Sequence, residues 1–444
     1  MKTPSSHLTF ISIPLAFLLM LACTNKLQNL QKQPDLTLPI KNVMIDRTTI
    51  PYSVCEPSIC ISPIDQDLII GGSVLNNVYV SNDGGVTWQK DKLNSTYGVY
   101  GDPVIRADYL GNFYFSHLSN PSGKAYQSDD FLDRIVVQKS SDNGQTWNNG
   151  SYSKPSNTED HDKQWMVVDP KSNHIYMTWT EFDKYGSKKP EDKSRILFAQ
   201  STDSGDSWSD PISISDLEGD CIDDDDTTEG AVPAVGPNGE IYVTWAYDEK
   251  LYFDKSIDNG ATWGNDLVIA NQPGGWTFDI PGIPRCNGMP ITEVDLSQGP
   301  HRGNIYVNWG DQRNGTDDTD IWITKSIDSG IRWSAPKRVN DDLAGKHQFL
   351  SWMDVDPKTG YIYIVFYDRR AYSANATDVY LAYSTDGAET FTNIKISEKS
   401  FTPTIGGFFG DYNDISAYNG RVRPIWTRLD NNVQSVWTAL VDME

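Results

Sequence analysis

The chain has 444 residues, of which 60 are acidic and 37 are lysine or arginine, giving a net charge of −23. A surface this acidic repels phosphate groups, which excludes nucleic acid as a partner. The 14 tryptophans and 22 tyrosines suit a β-rich protein whose aromatic faces can stack on sugar rings.

Residues 1–22 have the pattern of an export signal. Lys2 provides the positive start, residues 10–21 are apolar apart from Ser12, and the phrase LMLAC ends at Cys23. That phrase resembles the lipobox of bacterial lipoproteins, which implies cleavage before Cys23 and lipidation of that cysteine. The alternative is an ordinary secretory signal with an incidental cysteine.

The mature chain is predicted to have two parts. Residues 23–36 are polar and rich in glutamine, which is typical of a flexible tether, and residues 37–444 form one domain. No aspartate directly follows Cys23, and the resemblance to Gram-negative lipoproteins then implies an exported lipoprotein of the outer membrane or cell surface. The protein would contact the membrane through its lipid anchor only and would be a monomer.

An eight-residue phrase occurs six times, about every 60 residues, which indicates a repeat of one supersecondary unit. In each copy an aspartate can bond the backbone ahead of it, and a glycine tolerates positive φ, so the phrase closes a tight turn. An aromatic residue then opens the next strand. The copies are SNDGGVTW from Ser81, SSDNGQTW from Ser140, STDSGDSW from Ser201, SIDNGATW from Ser256, SIDSGIRW from Ser326 and STDGAETF from Ser384.

A second phrase, an alternating strand with tyrosine near its start and an aromatic residue near its end, precedes the turn phrases. With its flanking segments it predicts four short strands per unit, and such units repeated about a ring form a β-propeller. A seventh unit, from Gly410 onward, lacks a turn phrase and a fourth strand, which residues 40–47 can supply. We therefore predict an all-β propeller of seven four-stranded antiparallel blades, closed by the N-terminal strand, with six blades as the alternative.

The turn phrase resembles the Asp-box, or bacterial neuraminidase repeat, of the sialidase superfamily and its non-sialidase relatives. The resemblance implies an exported exo-glycosidase of the exo-α-sialidase type that acts on glycans. Sialidases begin with an F-R-I-P-like strand, whereas this chain reads DRTTIPYSVCEPSIC over residues 46–60. The alternatives are a non-catalytic propeller that binds a glycan or a protein, and a scaffold in the cell envelope.

The turn phrases should lie on one face of the ring, while the ends of the second strands and the starts of the first strands surround the central channel on the other. Arginines there could clamp a sugar carboxylate, or could form salt bridges with neighbouring aspartates. The predicted substrate-binding residues are Arg313, Arg370, Arg428, Arg285, Asp311, Asp368 and Trp165.

By the same resemblance, a tyrosine paired with a glutamate would be the nucleophile and a carboxylic acid would assist the leaving group. Tyr412 or Tyr367 is the expected nucleophile. Glu181 or Glu229 is its expected base, and Asp102 is the expected acid.

The remaining motifs concern cysteines and metals. Cys221 and Cys286 each precede the first strand of a neighbouring unit, so we favour a disulfide between them, while the pairing of Cys55 and Cys60 stays open. The loop GDCIDDDDTTEG, residues 219–230, could hold a structural Ca²⁺, or could be a solvated acidic loop. No other cofactor is expected. The Ca²⁺ candidates in this loop are Asp223 and Asp225.

Overall fold

A computed structural model describes Met1 and residues 40–156, 158–403 and 407–443. The predicted signal, Cys23 and the tether lie outside the described residues. The helical content of the described ranges is one 3₁₀ turn, Ala125–Gln127, and none of their helices is long and apolar enough to cross a bilayer.

The described chain forms seven four-stranded antiparallel sheets, which confirms the seven-bladed propeller and shows that the six-bladed alternative was wrong. Blades 1 to 6 each contain four consecutive strands, from β2–β5 to β22–β25. The strands are β1 Lys41–Thr48, β2 Ser58–Ile61, β3 Ile69–Ser73, β4 Asn77–Ser81, β5 Gln89–Lys92, β6 Val104–Ala107, β7 Phe113–Leu118, β8 Ile135–Ser140, β9 Ser151–Tyr152, β10 Asp160–Val168, β11 Ile175–Phe182, β12 Ser194–Ser201, β13 Ile212–Ser213, β14 Glu229–Val235, β15 Ile241–Tyr247, β16 Lys250–Ser256, β17 Leu267–Asn271, β18 Ile291–Val294, β19 Ile305–Asp311, β20 Asp320–Ser326, β21 Lys337–Arg338, β22 Gln348–Val355, β23 Ile362–Asp368, β24 Asp378–Ser384, β25 Thr392–Lys395, β26 Asp414–Tyr418, β27 Arg421–Asp430 and β28 Val433–Asp442.

Blade 7 closes the ring with both ends of the chain. Its strand order is β1-β28-β27-β26, and β1 runs antiparallel to β28 from the Lys41–Leu440 pair to the Thr48–Gln434 pair. The N-terminal strand therefore provides the fourth strand of the last blade, as the sequence predicted. Because closure pairs the strand that would otherwise be an edge, it also protects β28 from joining another chain.

The second strand of each blade forms the centre of the core. It lies within its own sheet and also packs against both neighbouring blades, so side chains on both of its faces are buried. Tyr176, Tyr242 and Tyr306 are at most 1% exposed, and Trp245 and Trp309 are equally buried. The repeated alternating phrase is thus explained by packing between blades.

All six turn phrases form the same turn between the third and fourth strands of blades 1 to 6. In the fourth copy, Ser256 Oγ accepts the Gly260 N–H at 2.8 Å and donates to Asp258 Oδ1 at 2.8 Å. Asp258 Oδ1 also accepts the Thr262 N–H at 2.9 Å. The bond from the fifth residue's N–H to the serine recurs in every copy at 2.8–3.0 Å. The polar atoms of these residues are used in hydrogen bonds within the turn, so their role is structural.

The predicted disulfide is absent, and all four described cysteines are free thiols. Cys221 lies beside the backbone of Asp183, whereas Cys286 is buried beside the backbone of Leu350 in blade 6. The two side chains therefore face different neighbours, and the expected Cys221–Cys286 bridge is not formed.

Candidate active site at the mouth of the central channel

The starts of the first strands surround a cavity of about 300 Å³. Five blades contribute to its wall, so the cavity lies at the centre of the ring. The first strands start on the face opposite the turns that follow the third strands, which places the cavity on the face predicted for the ligand. Its lining is Tyr52, Glu56, Val74, Leu75, Tyr100, Asp102, Leu118, Tyr126, Phe131, Leu132, Asp162, Lys163, Tyr185, Arg285, Phe408 and Asp411.

The backbone is left-handed where three charged side chains reach this cavity. Glu56, Asp102 and Lys163, from blades 1, 2 and 3, have φ values of 50°, 49° and 55°. Lys163 lies in a β-bulge of β10, and equivalent bulges in β14 and β22 contain Gly230 and Leu350, also at positive φ. A non-glycine residue in this conformation costs about 1 kcal/mol or more, a strain that proteins concentrate at functional sites.

Asp411 is the centre of a buried ion-pair network. Its Oδ2 lies 3.0 Å from Lys163 Nζ and 2.5 Å from Arg285 Nη2, and Asp411 is only 2% exposed. Arg285 Nη1 lies 2.9 Å from Asp223 Oδ2, and the Asp411 N–H donates to Glu56 Oε1 at 3.1 Å. The network ties blades 1, 3, 5 and 7 together across the channel and places two cations beside the carboxyl group of Asp411.

The carboxyl groups around this network have opposite tendencies to ionise. Burial, reinforced by Glu56 and Asp162, raises the pKa of Asp102 well above its ordinary value. Burial and the nearby Asp411 raise the pKa of Glu56 to about 7. Burial alone would also raise the pKa of Asp223, but the charges of Lys163 and Arg285, with hydrogen bonds from Glu229 and Tyr185, outweigh it and lower that pKa. The site therefore combines carboxyl groups whose pKa is raised, Glu56 and Asp102, with one whose pKa is lowered, Asp223.

Aromatic side chains form the outer wall of the cavity. Tyr52 stacks on Phe408 with ring centroids 5.5 Å apart, and Tyr126 packs edge-to-face on Phe131 at 4.6 Å. Tyr52 is 58% and Tyr126 72% exposed, although both are large and partly apolar. Exposed aromatic faces at the mouth of a polar cavity are suited to stacking against a sugar ring.

Below the cavity, three buried aromatic rings pack together. Trp165 lies 4.3 Å from Trp352 and 5.0 Å from Tyr412 between ring centroids. Trp165, predicted to bind substrate, is part of this buried layer and is not among the lining residues. Tyr412, the expected nucleophile, is also absent from the lining, and burial raises the pKa of its hydroxyl well above the ordinary value. Tyr367 is likewise buried, and it donates to Thr427 O at 2.6 Å.

Two of the arginines expected to clamp a substrate are each paired with an aspartate of their own blade. Arg313 Nε lies 2.9 Å from Asp311 Oδ1, and the guanidinium carbon is 4.2 Å from the centre of the Trp322 ring. Arg370 Nε lies 2.8 Å from Asp368 Oδ2 in the same relative position. Asp311 and Asp368 thus hold arginines two residues further along the chain, which is the salt-bridge alternative.

The third arginine of the expected clamp is also held away from the cavity. Arg428 donates to the carbonyl oxygens of Lys399 and Ser400, both at 3.2 Å. Of the four arginines predicted to bind substrate, Arg285 alone is among the residues lining the cavity. The predicted convergence of Arg313, Arg370 and Arg428 on one point is therefore not formed.

The two glutamates expected to act as a base also lie outside the lining. Glu181 Oε1 is 2.7 Å from Arg195 Nη1 in blade 3. Glu229 is fully buried behind the cavity, and its carboxyl group lies against that of Asp223. Burial, followed by the charge of Asp223, raises the pKa of Glu229 well above its ordinary value. Of the three carboxyl groups predicted to be catalytic, Asp102 is therefore the one that lines the cavity.

The acidic loop does not fit a Ca²⁺ ion. Asp223 faces Arg285 and accepts from Tyr185 OH at 2.7 Å, while Asp225 accepts the Thr277 N–H at 2.8 Å. Within the described ranges, no group of three or more histidine, cysteine or acidic residues is arranged to hold a metal ion. Because Arg285 already occupies the position beside Asp223, we derive no step through a metal.

Sequence reasoning did not identify Glu56, Lys163, Asp162 or the aromatic residues of the mouth. The charged residues share one feature that the sequence could have shown, which is their position in the repeat. Each lies near the start of a first strand, as Asp102 does. The aromatic residues Tyr126 and Phe131 lie in the long connection between β7 and β8, which has no counterpart in the repeated pattern. The folded structure places this connection beside the cavity, and no pattern in the sequence indicates that position.

No sequence-family model matches the chain, and no curated protein matches it in sequence. Among solved structures, an ulvan lyase of polysaccharide lyase family PL25 bound to a GlcA(1-4)Rha3S saccharide is 13% identical, with a TM-score of 0.54 over 90% of this chain and 96% of that chain. A protein of unknown function from Dyadobacter fermentans DSM 18053 is 14% identical, with a TM-score of 0.52 over 92% of this chain and 100% of that one. The NanB sialidase of Streptococcus pneumoniae is 10% identical, with a TM-score of 0.50 over 84% and 83% of the two chains. Likenesses at this level of identity establish that the chain has the β-propeller fold shared by these proteins.

Proposed function

We propose that the central cavity binds one sugar unit of a glycan and that the protein hydrolyses the glycosidic bond held there. The observation that carries this proposal is the pairing of two unlike carboxyl groups in one cavity. Asp102 has a raised pKa, while the carboxyl group of Asp411 is paired with Lys163 and Arg285. Glycoside hydrolysis requires such a pair, one group to donate a proton and one to stabilise charge.

In the proposed reaction Asp102 is the general acid. It donates its proton to the oxygen of the departing sugar as the bond from that oxygen to the anomeric carbon breaks. Asp411 faces the positive charge that develops on the ring and accepts a proton from the attacking water, whose oxygen forms the new bond to the anomeric carbon. Lys163 and Arg285 orient Asp411, since both contact the same carboxylate oxygen.

The exposed aromatic rings of the mouth support a sugar as the ligand. Tyr52 and Tyr126 present their rings beside the polar floor, and a pyranose has one apolar face for such a ring and hydroxyl groups for the carboxylates. The likenesses to a polysaccharide lyase and a sialidase agree with a glycan as the substrate. Export and lipidation at Cys23, predicted from the sequence, would place this activity at the cell envelope.

A second candidate function is glycan binding without hydrolysis through the same cavity. The specific observation in its favour is that Lys163 and Arg285 both contact Asp411 Oδ2, so this oxygen is already occupied and is not free to accept a proton from water. In that case the same aromatic and carboxylate groups would recognise the sugar, and no bond would be broken.

The proposal is tested by turnover of a panel of aryl glycosides, with Asp102→Asn as the diagnostic variant. Asparagine tolerates the left-handed backbone at this position, so the fold should be kept. We expect the wild-type protein to release the aryl group from at least one glycoside, and the variant to be about 100-fold slower, which is the usual effect of losing a general acid. Glycan binding without release from any substrate would support the second candidate, and the absence of both binding and release would contradict the proposal.

Asp378→Asn is the matched control. Asp378 is 1% exposed, and its Oδ1 lies 3.0 Å from Lys395 Nζ. Like Asp411, it is a buried aspartate paired with a lysine, but it lies in β24, outside the cavity. Its substitution should leave turnover unchanged.

A further inference from the structure

We infer that the sugar bound in the central cavity carries no carboxylate or sulfate group, so that the protein acts on glycans whose recognised unit is uncharged or an amino sugar. This inference rests on the proposed function, because it concerns the ligand of the same cavity. Two observations support it. Carboxyl groups outnumber cations around the cavity, and both cations of the lining are already paired with aspartates.

Both cations of the lining are already neutralised by the protein. Lys163 Nζ and Arg285 Nη2 contact one oxygen of Asp411, at 3.0 and 2.5 Å. The other terminal nitrogen of Arg285 lies 2.9 Å from Asp223 Oδ2. An acidic sugar would have to compete with Asp411 and Asp223 for these cations, and separating either buried aspartate from its cation is costly.

The lining also contains more carboxyl groups than cations. Glu56, Asp102, Asp162 and Asp411 line the cavity with Lys163 and Arg285. Even when Glu56 and Asp102 carry protons, the remaining carboxylates and Asp223 outnumber the cations. A sugar carboxylate or sulfate would therefore enter a cavity of its own sign, an arrangement that like-charge repulsion opposes.

One polar atom of the cavity lining is unsatisfied, and it is an acceptor suited to a hydroxyl donor. Asp411 Oδ1 has no hydrogen-bond partner, although the residue is 2% exposed and lines the cavity. An ionised carboxylate can only accept hydrogen bonds, whereas a sugar hydroxyl can donate one. A hydroxyl or ammonium group can satisfy this atom, whereas a carboxylate or sulfate group placed beside it cannot.

The test compares matched neutral and acidic ligands. Release from aryl glucosides, galactosides and N-acetylhexosaminides is measured beside release from the aryl glucuronide and the aryl sialoside. We expect kcat/KM for the best neutral substrate to exceed that for either acidic substrate by at least ~30-fold. Faster turnover of the glucuronide or the sialoside would overturn the inference and leave the proposed function standing.

If no glycoside is turned over, the proposed hydrolysis fails, and binding to an array of neutral, amino and acidic glycans decides the inference. Retention of neutral or amino glycans only would support it, whereas retention of acidic glycans, or of none, would overturn it.

Asp411→Asn tests the cause of the selectivity. This substitution releases Lys163 and Arg285 from their shared carboxylate, so the array signal ratio of acidic to neutral glycans should rise by ~10-fold or more. Asp378→Asn, equally buried and equally paired with a lysine, should leave that ratio unchanged. An unchanged ratio in a folded Asp411→Asn protein would contradict the role given to Asp411, and if this variant does not fold, the wild-type comparison alone decides.

Discussion

Replacing Glu56 by glutamine should remove part of the pH dependence of the protein's stability. Glu56 is 4% exposed and accepts the Asp411 N–H at 3.1 Å, a bond that a glutamine oxygen can also accept. Burial, followed by the charge of Asp411, raises the pKa of Glu56 from an ordinary 4.5 to about 7. The folded state therefore holds this proton at pH values where the unfolded chain has already lost it.

The sign and the size of the effect follow from proton linkage. Protonation of Glu56 favours the folded state fully below pH 4.5, and this stabilisation is lost as the pH rises from about 4.5 to about 7. At about 1.4 kcal/mol for each unit of pKa shift, the loss amounts to about 3 kcal/mol. Glutamine cannot ionise, so Glu56→Gln should lack this part of the decline.

The measurement is the free energy of unfolding in guanidinium chloride at several pH values from 4.5 to 8. Between pH 4.5 and 7 the wild-type value should fall by about 3 kcal/mol more than that of Glu56→Gln. Glu191→Gln, at an exposed position, should follow the wild-type curve. Parallel curves for the wild type and Glu56→Gln would refute the buried, proton-bearing state of Glu56.

The remaining predictions concern the ring and its turns. Ser256→Ala removes the acceptor of the Gly260 N–H and should lower the free energy of unfolding by about 1–2 kcal/mol, and an unchanged value would contradict the structural role of the turn phrase. Gly230→Ala should cost about 2 kcal/mol or more, because φ is 72° and a Cβ would lie 2.6 Å from the Trp276 ring; unchanged denaturant unfolding would contradict this. Deleting residues 41–48 leaves β28 as an edge and should lower Tm by at least about 5 °C and promote association, measured by calorimetry and light scattering; an unchanged Tm and an unchanged mass in solution would show that ring closure is dispensable.

The blade count was predictable because it depends on local chemistry that every repeat shares. The turn phrase contains its own donors and acceptors, as Ser256 and Asp258 show, so its sequence alone indicates a turn. The closing strand was predicted at residues 40–47 and is observed at Lys41–Thr48. The sequence predicts one extra strand before the first blade and one missing strand in the last blade. Pairing the extra strand with the last blade accounts for both.

The candidate site was less predictable because it depends on where individual side chains point, and these orientations differ from blade to blade. Arg313 and Arg370 occupy the expected strand ends, but each folds back onto the aspartate two residues before it, and sequence does not distinguish that arrangement from one aimed at the channel. Lys163 points into the channel because a bulge places it at positive φ. Such a conformation is unusual for lysine and has no signature in the sequence.

The most direct test of a sugar site in the central cavity is a crystal structure of the Asp102→Asn protein soaked with a neutral aryl glycoside. The account predicts the sugar within the cavity, with its glycosidic oxygen beside residue 102, a hydroxyl group donating to Asp411 and a ring face against Tyr52 or Tyr126. A glycoside bound at the rim beside Arg313 or Arg370, with the central cavity empty of sugar, would contradict it.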